Sequence, residues 1–501
     1  MSILSENIEL FKPFIQEEIL KVIKDSKDSL AMEQSLWHLF TEVFCLLVAI
    51  AIELVDEELY RETYKPQGWR VSRRDPRTMY CLFGPVTFKR RRLERKGDKA
   101  FYPLDLKMGF KPRVHYSLGL IHRVSEAVQM TQFRQVSKMV KLLTPIDLSH
   151  QTALNLSRLA SKMIEKYVVS EAEQEQEKKR VPEGGILAIE GDGITMKQQA
   201  DPLTGAKGGQ KVELHRLQIY EGVEKQGNRT VLVGYHCFSG ADRKQLFAVV
   251  KAWLASHYNL PEITVLSNGD GGAGYNFADF DDLVLGCKGH YHFRDRYHVN
   301  EKVRTRLSFC PGKFIDEFVH TLNKSKDVIT DMKPYLDTAA SYAETEEQAE
   351  QVRRLAEYLS RNAEYIPGIW ERGIRTDIRL GAAESNHRCY SYRLKKQGRN
   401  WSKQGMHSMG ALISAERNDI LKKALLHSEA GKAYKKMDRQ MHKAVVGALK
   451  KTRMDAEEAK RRQQIRNKAR KYRPGCQEGR IGVYGPISSP MGQLAKGIQI
   501  Y

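Results

Sequence analysis

The chain has 501 residues, enough for two to four domains at the usual domain size. Its 41% apolar, 9% aromatic and 29% charged residues exclude a fibrous, collagen-like or wholly disordered chain. Lys and Arg number 82 against 61 Asp and Glu, a net +21, which points to a polyanionic partner, nucleic acid first and an anionic membrane surface second.

The charge is uneven. Residues 391–480 hold 25 basic and 8 acidic side chains, and residues 61–100 carry a further +9. Residues 1–60 are acidic, at −8. Two basic blocks on a nearly neutral body suggest two contact surfaces. The longest uncharged apolar run, Val43–Ile52, is about half of the ~20 residues a membrane span needs, so it reads as a buried helix. Glu6 and Glu9 stand where a secretory leader would be basic. The seven cysteines are odd in number, scattered and free of CxxC, which suits reduced thiols in a cytoplasmic protein.

Residues 1–60 read as a helical N-terminal region. Residues 61–125 hold a basic β-hairpin, "TMYCLFGPVTFKRRRLERKG", turning at Gly84-Pro85, with Arg90, Arg91 and Arg92 on its second strand. Residues 126–180 are helical. Within them a turn at Thr144–Asp147 and an N-cap at Ser149 outline a helix-turn-helix, which would present Gln151 and Asn155 to a DNA groove. A plain helical bundle satisfies the same pattern.

After the charged linker 171–185, residues 181–300 run β-β-β-α-β-α-β, with "LVLGCKGH" as the last strand. That order predicts an α/β core of ribonuclease-H-like type. Residues 301–375 are a helical insertion, 376–415 complete the core, and 416–501 form a basic helical tail.

Three carboxylates fall where such a core gathers them. Asp192 ends the first core strand, Asp270 ends the fourth, and Glu384 opens the helix after the insertion. Clustered carboxylates hold two Mg²⁺, with Mn²⁺ able to replace it, and two such ions promote in-line attack on a phosphodiester. Glu190, on the same strand face as Asp192, is the alternative first acid. "GDGGAG" satisfies G-x-G-x-x-G in form, but its Asp270 would oppose a pyrophosphate and its strand is not a first one. Cys287, His290, His292 and His298 are four potential zinc ligands at an unfamiliar spacing.

"GDGI", "SNGDGGAGY", "FRDRYHV" and "GAAESNHRCYSYRLKKQGRNWSKQGM" resemble the ISLre2-type insertion-sequence transposases, also called UPF0236 transposase-like proteins, from about residue 75 to 415. The resemblance implies a DDE triad on Asp192, Asp270 and Glu384. "DRYH" resembles the C/D-x-x-H motif of related transposases, which implies a supporting role for Asp295 and His298. In "RLKKQGRNWS", Arg393, Lys395, Lys396 and Arg399 around Trp401 could clamp phosphates and stack a base.

The expectation is therefore a DNA transposase performing Mg²⁺-dependent cleavage and strand transfer. Its partners would be double-stranded DNA, as terminal inverted repeats and target. It would act as a homo-oligomer on DNA, without a membrane, in the cytoplasm at the nucleoid. The alternatives are a nuclease or resolvase with the same core, and a catalytically inactive, transposase-derived DNA-binding protein.

Overall fold

The computed structural model describes residues 3–110, 113–174, 176, 178–200, 205–272, 274–396 and 399–427. Most of the basic tail lies outside them. The chain opens with helices Ile3–Asp25 and Ser29–Leu59, followed by a hairpin of β1 (Arg70–Cys81) and β2 (Gly84–Glu94). Gly84 and Pro85 begin the second strand; the turn itself is Leu82-Phe83. Helix Ser29–Leu59 lies along β2 and is tied to it by Asp56, which is 1% exposed and bonds the backbone and guanidinium of Arg91.

Taken through to Tyr64, that helix runs 36 residues with mean hydropathy 2.1 over its most apolar window. By length and composition alone it could cross a membrane, a test that a core helix also passes. Only Glu42 and Glu53 flank the run Val43–Ile52, so the charge-poor stretch is longer than ten residues.

Helices Leu118–Met130, Phe133–Leu143 and His150–Glu173 follow. Ser149 caps the last, accepting from the Thr152 amide at 3.0 Å. Val136, Ala153, Leu156, Ala160 and Ile164 share a core with Tyr390, Leu394, Trp401 and Met406 from far along the chain. Helix His150–Glu173 therefore packs one face into the body, with Gln151 and Asn155 left exposed.

The central sheet contains β3 (Ile186–Lys197), β4 (Lys211–Tyr220), β7 (His236–Gly240), β8 (Thr264–Gly269) and β9 (Gly289–Arg294). A small hairpin, β5 (Gly222–Gln226) and β6 (Arg229–Val233), stands between β4 and β7 in sequence. The strand order is β7-β4-β3-β8-β9. β4 is antiparallel to β3 and β7, whereas β8 and β9 run parallel to β3.

The fifth strand is "GHYHFR" and not "LVLGCKGH". Leu283 closes the short helix Phe277–Leu283, and Leu283 and Val284 are buried there as helix-end packing. The alternation of β9 was hidden because His290 and His292 both bond Ser267 on β8.

β3 is covered on both faces, which is why "ILAI" reads as a continuous apolar run. Leu187 and Ile189 pack toward helices Arg243–His257 and Phe277–Leu283. Ala188, Glu190 and Asp192 alternate to the other face. Helices Arg296–Arg306, Gly312–Leu322, Val328–Ser341 and Glu346–Arg361 follow β9 around a core of their own, with Val303, Phe318, Met332 and Leu355 at its centre. The chain then returns through residues 362–381 to helix Ala382–Leu394, and ends its described part with helices Lys403–Arg417 and Leu421–His427.

Candidate active site

The parallel pair β3 and β8 keeps register through Gly191 and Gly269. Asp192 and Asp270 each follow that last pair, so the two aspartates stand at one level; Asp270 leaves β8 there, but β3 runs on to Lys197 against β4, so Asp192 lies within its strand, which corrects the expectation that it ends it. The glycines before them are a packing requirement. A Cβ on Gly191 would meet the Tyr275 ring at 2.7 Å, and one on Gly269 would meet the Tyr275 carbonyl at the same distance. Tyr275 also donates to the Asp192 carbonyl at 3.1 Å.

Helix Ala382–Leu394 delivers Glu384 to Asp192. Its first residues follow Gly381, whose φ of 101° is left-handed and favours glycine. No side chain of the helix caps its first amides. Glu190 does so from β3: its two oxygens accept from Gly381 at 2.6 Å, Ala382 at 3.2 Å and Ala383 at 2.5 Å. Tyr220 Oη at 2.7 Å and Gln218 Nε2 at 2.9 Å complete the set. Complete burial pushes the Glu190 carboxyl up, and these five donors pull it back toward the ionised form. Glu190 is thus the clamp between β3 and the helix. That corrects its reading as an alternative first acid, since its lone pairs are spent on the helix terminus.

Asp192, His298 and Glu384 converge, with one ligand atom from each within 4.8 Å of the others. His298 arrives there because Asp295 caps helix Arg296–Arg306, accepting from the His298 amide at 3.2 Å. Asp295 is anchored in turn by Asn268 Nδ2 at 3.1 Å and by its own amide on the Gly269 carbonyl at 2.9 Å. Asp270 is outside this trio, and its Oδ1 accepts from the Gly272 amide at 2.7 Å. Two carboxylates and an imidazole could hold a divalent cation, with Mg²⁺ favouring the oxygens and Mn²⁺ also accepting the nitrogen.

Two residues of the site escaped the sequence reading. His387, one turn after Glu384, bonds Asp192 Oδ2 through Nε2. Burial raises the Asp192 carboxyl, but His387 and the Gly193 amide outweigh it and hold the group below its ordinary value. The i, i+3 spacing from Glu384 was the signal for His387. Glu213 on β4 is the second. Burial raises its carboxyl, and the charges of Asp270 and Asp192 raise it further.

The proposed DNA contacts separate into two groups. Arg91 is buried on Asp56 and Glu57, and Arg90 pairs with Asp105 beneath the Tyr102 ring, 4.0 Å from its centroid. Arg393 is 1% exposed, donates to the Val128 carbonyl and packs on Trp401, itself buried with its indole N–H on the Leu394 carbonyl. Arg91, Arg393 and Trp401 are corrections, because each is buried, while Arg90 is half-buried with its charge met by Asp105. Arg92 and Arg399 are half-buried, while Lys395, Lys396, Gln151 and Asn155 are exposed. Gln151 donates to Asn155 at 3.2 Å. The four zinc candidates do not assemble: His290 and His292 are bonded to Ser267 and Cys287 to the Gly289 carbonyl, while His298 lies with Asp192.

Fold and site define a mixed α/β protein whose central sheet gathers acidic side chains and a histidine around Asp192, midway along β3. The profile of UPF0236, an uncharacterised protein family, matches residues 27–430, and the chain belongs to that family. It is 34% identical over 412 residues to a UPF0236 protein in the vanSb 3′ region of Streptococcus gallolyticus, covering 81% of this chain and 87% of that one. It is 26% identical over 390 residues to a UPF0236 protein of Caldanaerobacter subterraneus subsp. tengcongensis, covering 74% of each. Among solved structures it is similar to the Drosophila P element transposase strand transfer complex, with TM-score 0.25, 12% identity and coverage of 70% of this chain and 89% of that one.

Proposed function

We propose that this chain is a DNA transposase of the ISLre2 type, cutting and joining phosphodiesters with a ribonuclease-H-like core. The observation that carries the reading is the convergence of Asp192, midway along β3, with Glu384, and Asp270 leaving the adjacent strand at the same level. The strand order β7-β4-β3-β8-β9, with its first three strands antiparallel and the last two parallel to β3, supports it. So does a formal charge of +21.

In this reading Asp192, Asp270 and Glu384 would hold two Mg²⁺ ions, which would polarise the scissile phosphate and activate water or a 3′-hydroxyl. His387 keeps Asp192 ionised and oriented, and Glu190 fixes the helix that presents Glu384. Asp295 aims His298 at the same point. Asp270 would exchange the Gly272 amide for a metal ion by rotating its side chain. Lys395, Lys396 and the exposed face of helix His150–Glu173 would meet the duplex, and DNA ends would be paired by two or more copies.

The test is incubation with labelled duplexes spanning the junctions of the encoding element, plus target plasmid, in Mg²⁺ or Mn²⁺. Wild type should nick and join. Asp192→Asn, Asp270→Asn and Glu384→Gln should each lose cleavage and keep general DNA binding, because removal of a metal ligand leaves the basic surface intact. Near wild-type cleavage by any of the three would remove that residue from the site. Cleavage without joining would favour a nuclease.

A further inference from the structure

Arg216 on β4 stands opposite Asp192 in the antiparallel ladder with β3. Directly opposed residues share a face of the sheet, so Arg216 rises on the face that carries Glu190 and Asp192. It is 2% exposed. Among the described residues the partners of its guanidinium are all neutral. Nη1 donates to the Ala383 carbonyl at 3.1 Å, and Nη2 donates to the Gln218 amide oxygen and, at 3.4 Å, to Tyr235 Oη. The group lies 5.0 Å from the centre of the Tyr390 ring, and its Nε meets no acceptor.

A buried guanidinium without a carboxylate beside it is costly, and buried charges are as a rule paired. Arg91 on Asp56 shows the usual arrangement. Arg216 departs from it, and its donors are spent on the helix that carries Glu384 and on the glutamine that steadies Glu190.

Three residues of helix Ala382–Leu394 meet Arg216 or Gln218. Ala383 accepts from Arg216, Asn386 donates to the Gln218 oxygen at 3.1 Å, and Tyr390 presents its ring. Positions i, i+3 and i+7 form one stripe of a helix. Glu384 and His387 lie on the neighbouring stripe, which turns toward Asp192. The residue before Glu384 is also enclosed by a ring of hydrogen bonds. Glu190 accepts from the Ala383 amide, Arg216 donates to the Ala383 carbonyl, and Gln218 joins the two, donating to Glu190 at 2.9 Å. Glu190 grips the helix only at its first amides. Tyr390 over Arg216 adds a contact two turns along, and contacts at two levels set the roll of a helix as well as its place.

We infer that Arg216 is a positioning residue for the candidate metal site, setting the roll of helix Ala382–Leu394 so that Glu384 and His387 meet Asp192. The inference rests on the strand-cleavage reading above, in which Asp192 and Glu384 hold a divalent ion. Arg216 acts through Glu384 and not on the reacting atoms. Lysine in its place keeps the charge but replaces a planar fork with one nitrogen, so it loses the paired hold on Ala383 and Gln218.

The test measures Mn²⁺ uptake by the full-length protein, read as loss of the free-ion electron paramagnetic resonance signal, in a double-mutant cycle. Arg216→Lys should bind Mn²⁺ about 10-fold more weakly than wild type. In a Glu384→Gln background the same substitution should change affinity less than about 2-fold, because the ligand that Arg216 positions is gone. An arginine needed only for stability would weaken uptake equally in both backgrounds. That outcome overturns the inference, as does wild-type affinity in Arg216→Lys. If Arg216→Lys does not fold, Asn386→Ala takes its place, since it removes a half-buried contact to the same Gln218. It should weaken uptake in the wild-type background alone, and unchanged uptake there overturns the inference. Wild type that takes up Mn²⁺ without cutting junction duplexes overturns the strand-cleavage reading and leaves the Arg216 result standing. Wild type that takes up none overturns both.

Discussion

Glu190 and Asp192 are two residues apart on one strand face, yet their environments assign them opposite duties. Glu190 is enclosed by five donors, three of them amides of the Glu384 helix, whereas Asp192 faces His387 and the candidate metal position. Glu190→Gln should therefore destabilise the fold by about 1–3 kcal/mol, since its amide group would confront N–H donors. Cleavage should fall with Asp192 and Glu384 both intact. Thermal melting and a junction-cleavage assay check this, and a variant with wild-type values in both would make the clamp dispensable. Glu213 behaves differently. Its carboxyl is raised by burial and then by Asp270 and Asp192, so it is harder to ionise in the folded state than in the unfolded chain. An acid raised in the folded state costs stability above its folded pKa and nothing below its unfolded one. Glu213→Gln should raise Tm at pH 7–8 in EDTA, and the gain should fade as pH drops through the carboxylate range. A gain that grew toward acid pH would reverse the sign and refute the assignment. The sequence displayed Asp270 and Glu384 because a strand end and a helix start are readable from pattern, whereas Asp192 lies inside β3, whose run to Lys197 along β4 was not legible. It hid Glu190's clamp and Glu213's proximity, because both depend on which strands and helix become neighbours.

Among the elements, the hairpin shows how a basic run misleads. Four consecutive cations on β2 resemble a nucleic-acid contact, but strand alternation and the helix over it send Arg91 inward to Asp56. Arg91→Ala would strand a buried carboxylate and should destabilise by about 3–5 kcal/mol. Arg92→Ala, at a half-buried position, should stay within about 0.5 kcal/mol. Urea unfolding of both variants is the measurement, and equal effects would show that Asp56 and Arg91 do not form a sealed pair. The same limit explains Arg393 and Trp401, where periodicity placed both on a helix or its flank but only the packing of Phe133 and Val128 from the N-terminal half decided that they face inward. Register also defeated the reading of β9. His292 is a polar residue by composition, yet it is buried with its pKa pushed down to about 3, first by burial and then by Arg294, so the neutral ring serves as a core residue on Ser267. By contrast the Ser149 cap and the places of β3 and β4 were legible, because a cap and a run of strand-forming residues are local.

At the scale of the whole molecule, the question is what carries the charge once the interior cations are set aside. Arg90, Arg91 and Arg393 are compensated or enclosed, so they add little to the outer field. Residues 428–501 lie outside the described residues, but their composition holds 18 Lys and Arg against 6 Asp and Glu, a net +12 of the chain's +21. The described helices reach His427, and the core they share closes on Leu425. A chain truncated after His427 should therefore keep its melting temperature to within a few degrees. Its affinity for duplex DNA should fall for junction and random sequences alike, because phosphate contacts carry no sequence information. Every phosphate that the truncated chain no longer neutralises lowers the slope of log K against log salt by about 0.9, so a tail engaging five phosphates would flatten the plot by about 4–5. Titration of both chains with one duplex between 50 and 200 mM salt is the measurement. An unchanged slope would place the DNA surface wholly on the folded body, with Lys395, Lys396 and the exposed side of helix His150–Glu173 as its remaining cationic and polar contacts. A lowered slope with junction preference retained would separate the two duties, with affinity on the tail and recognition on the body that holds Asp192 and Glu384.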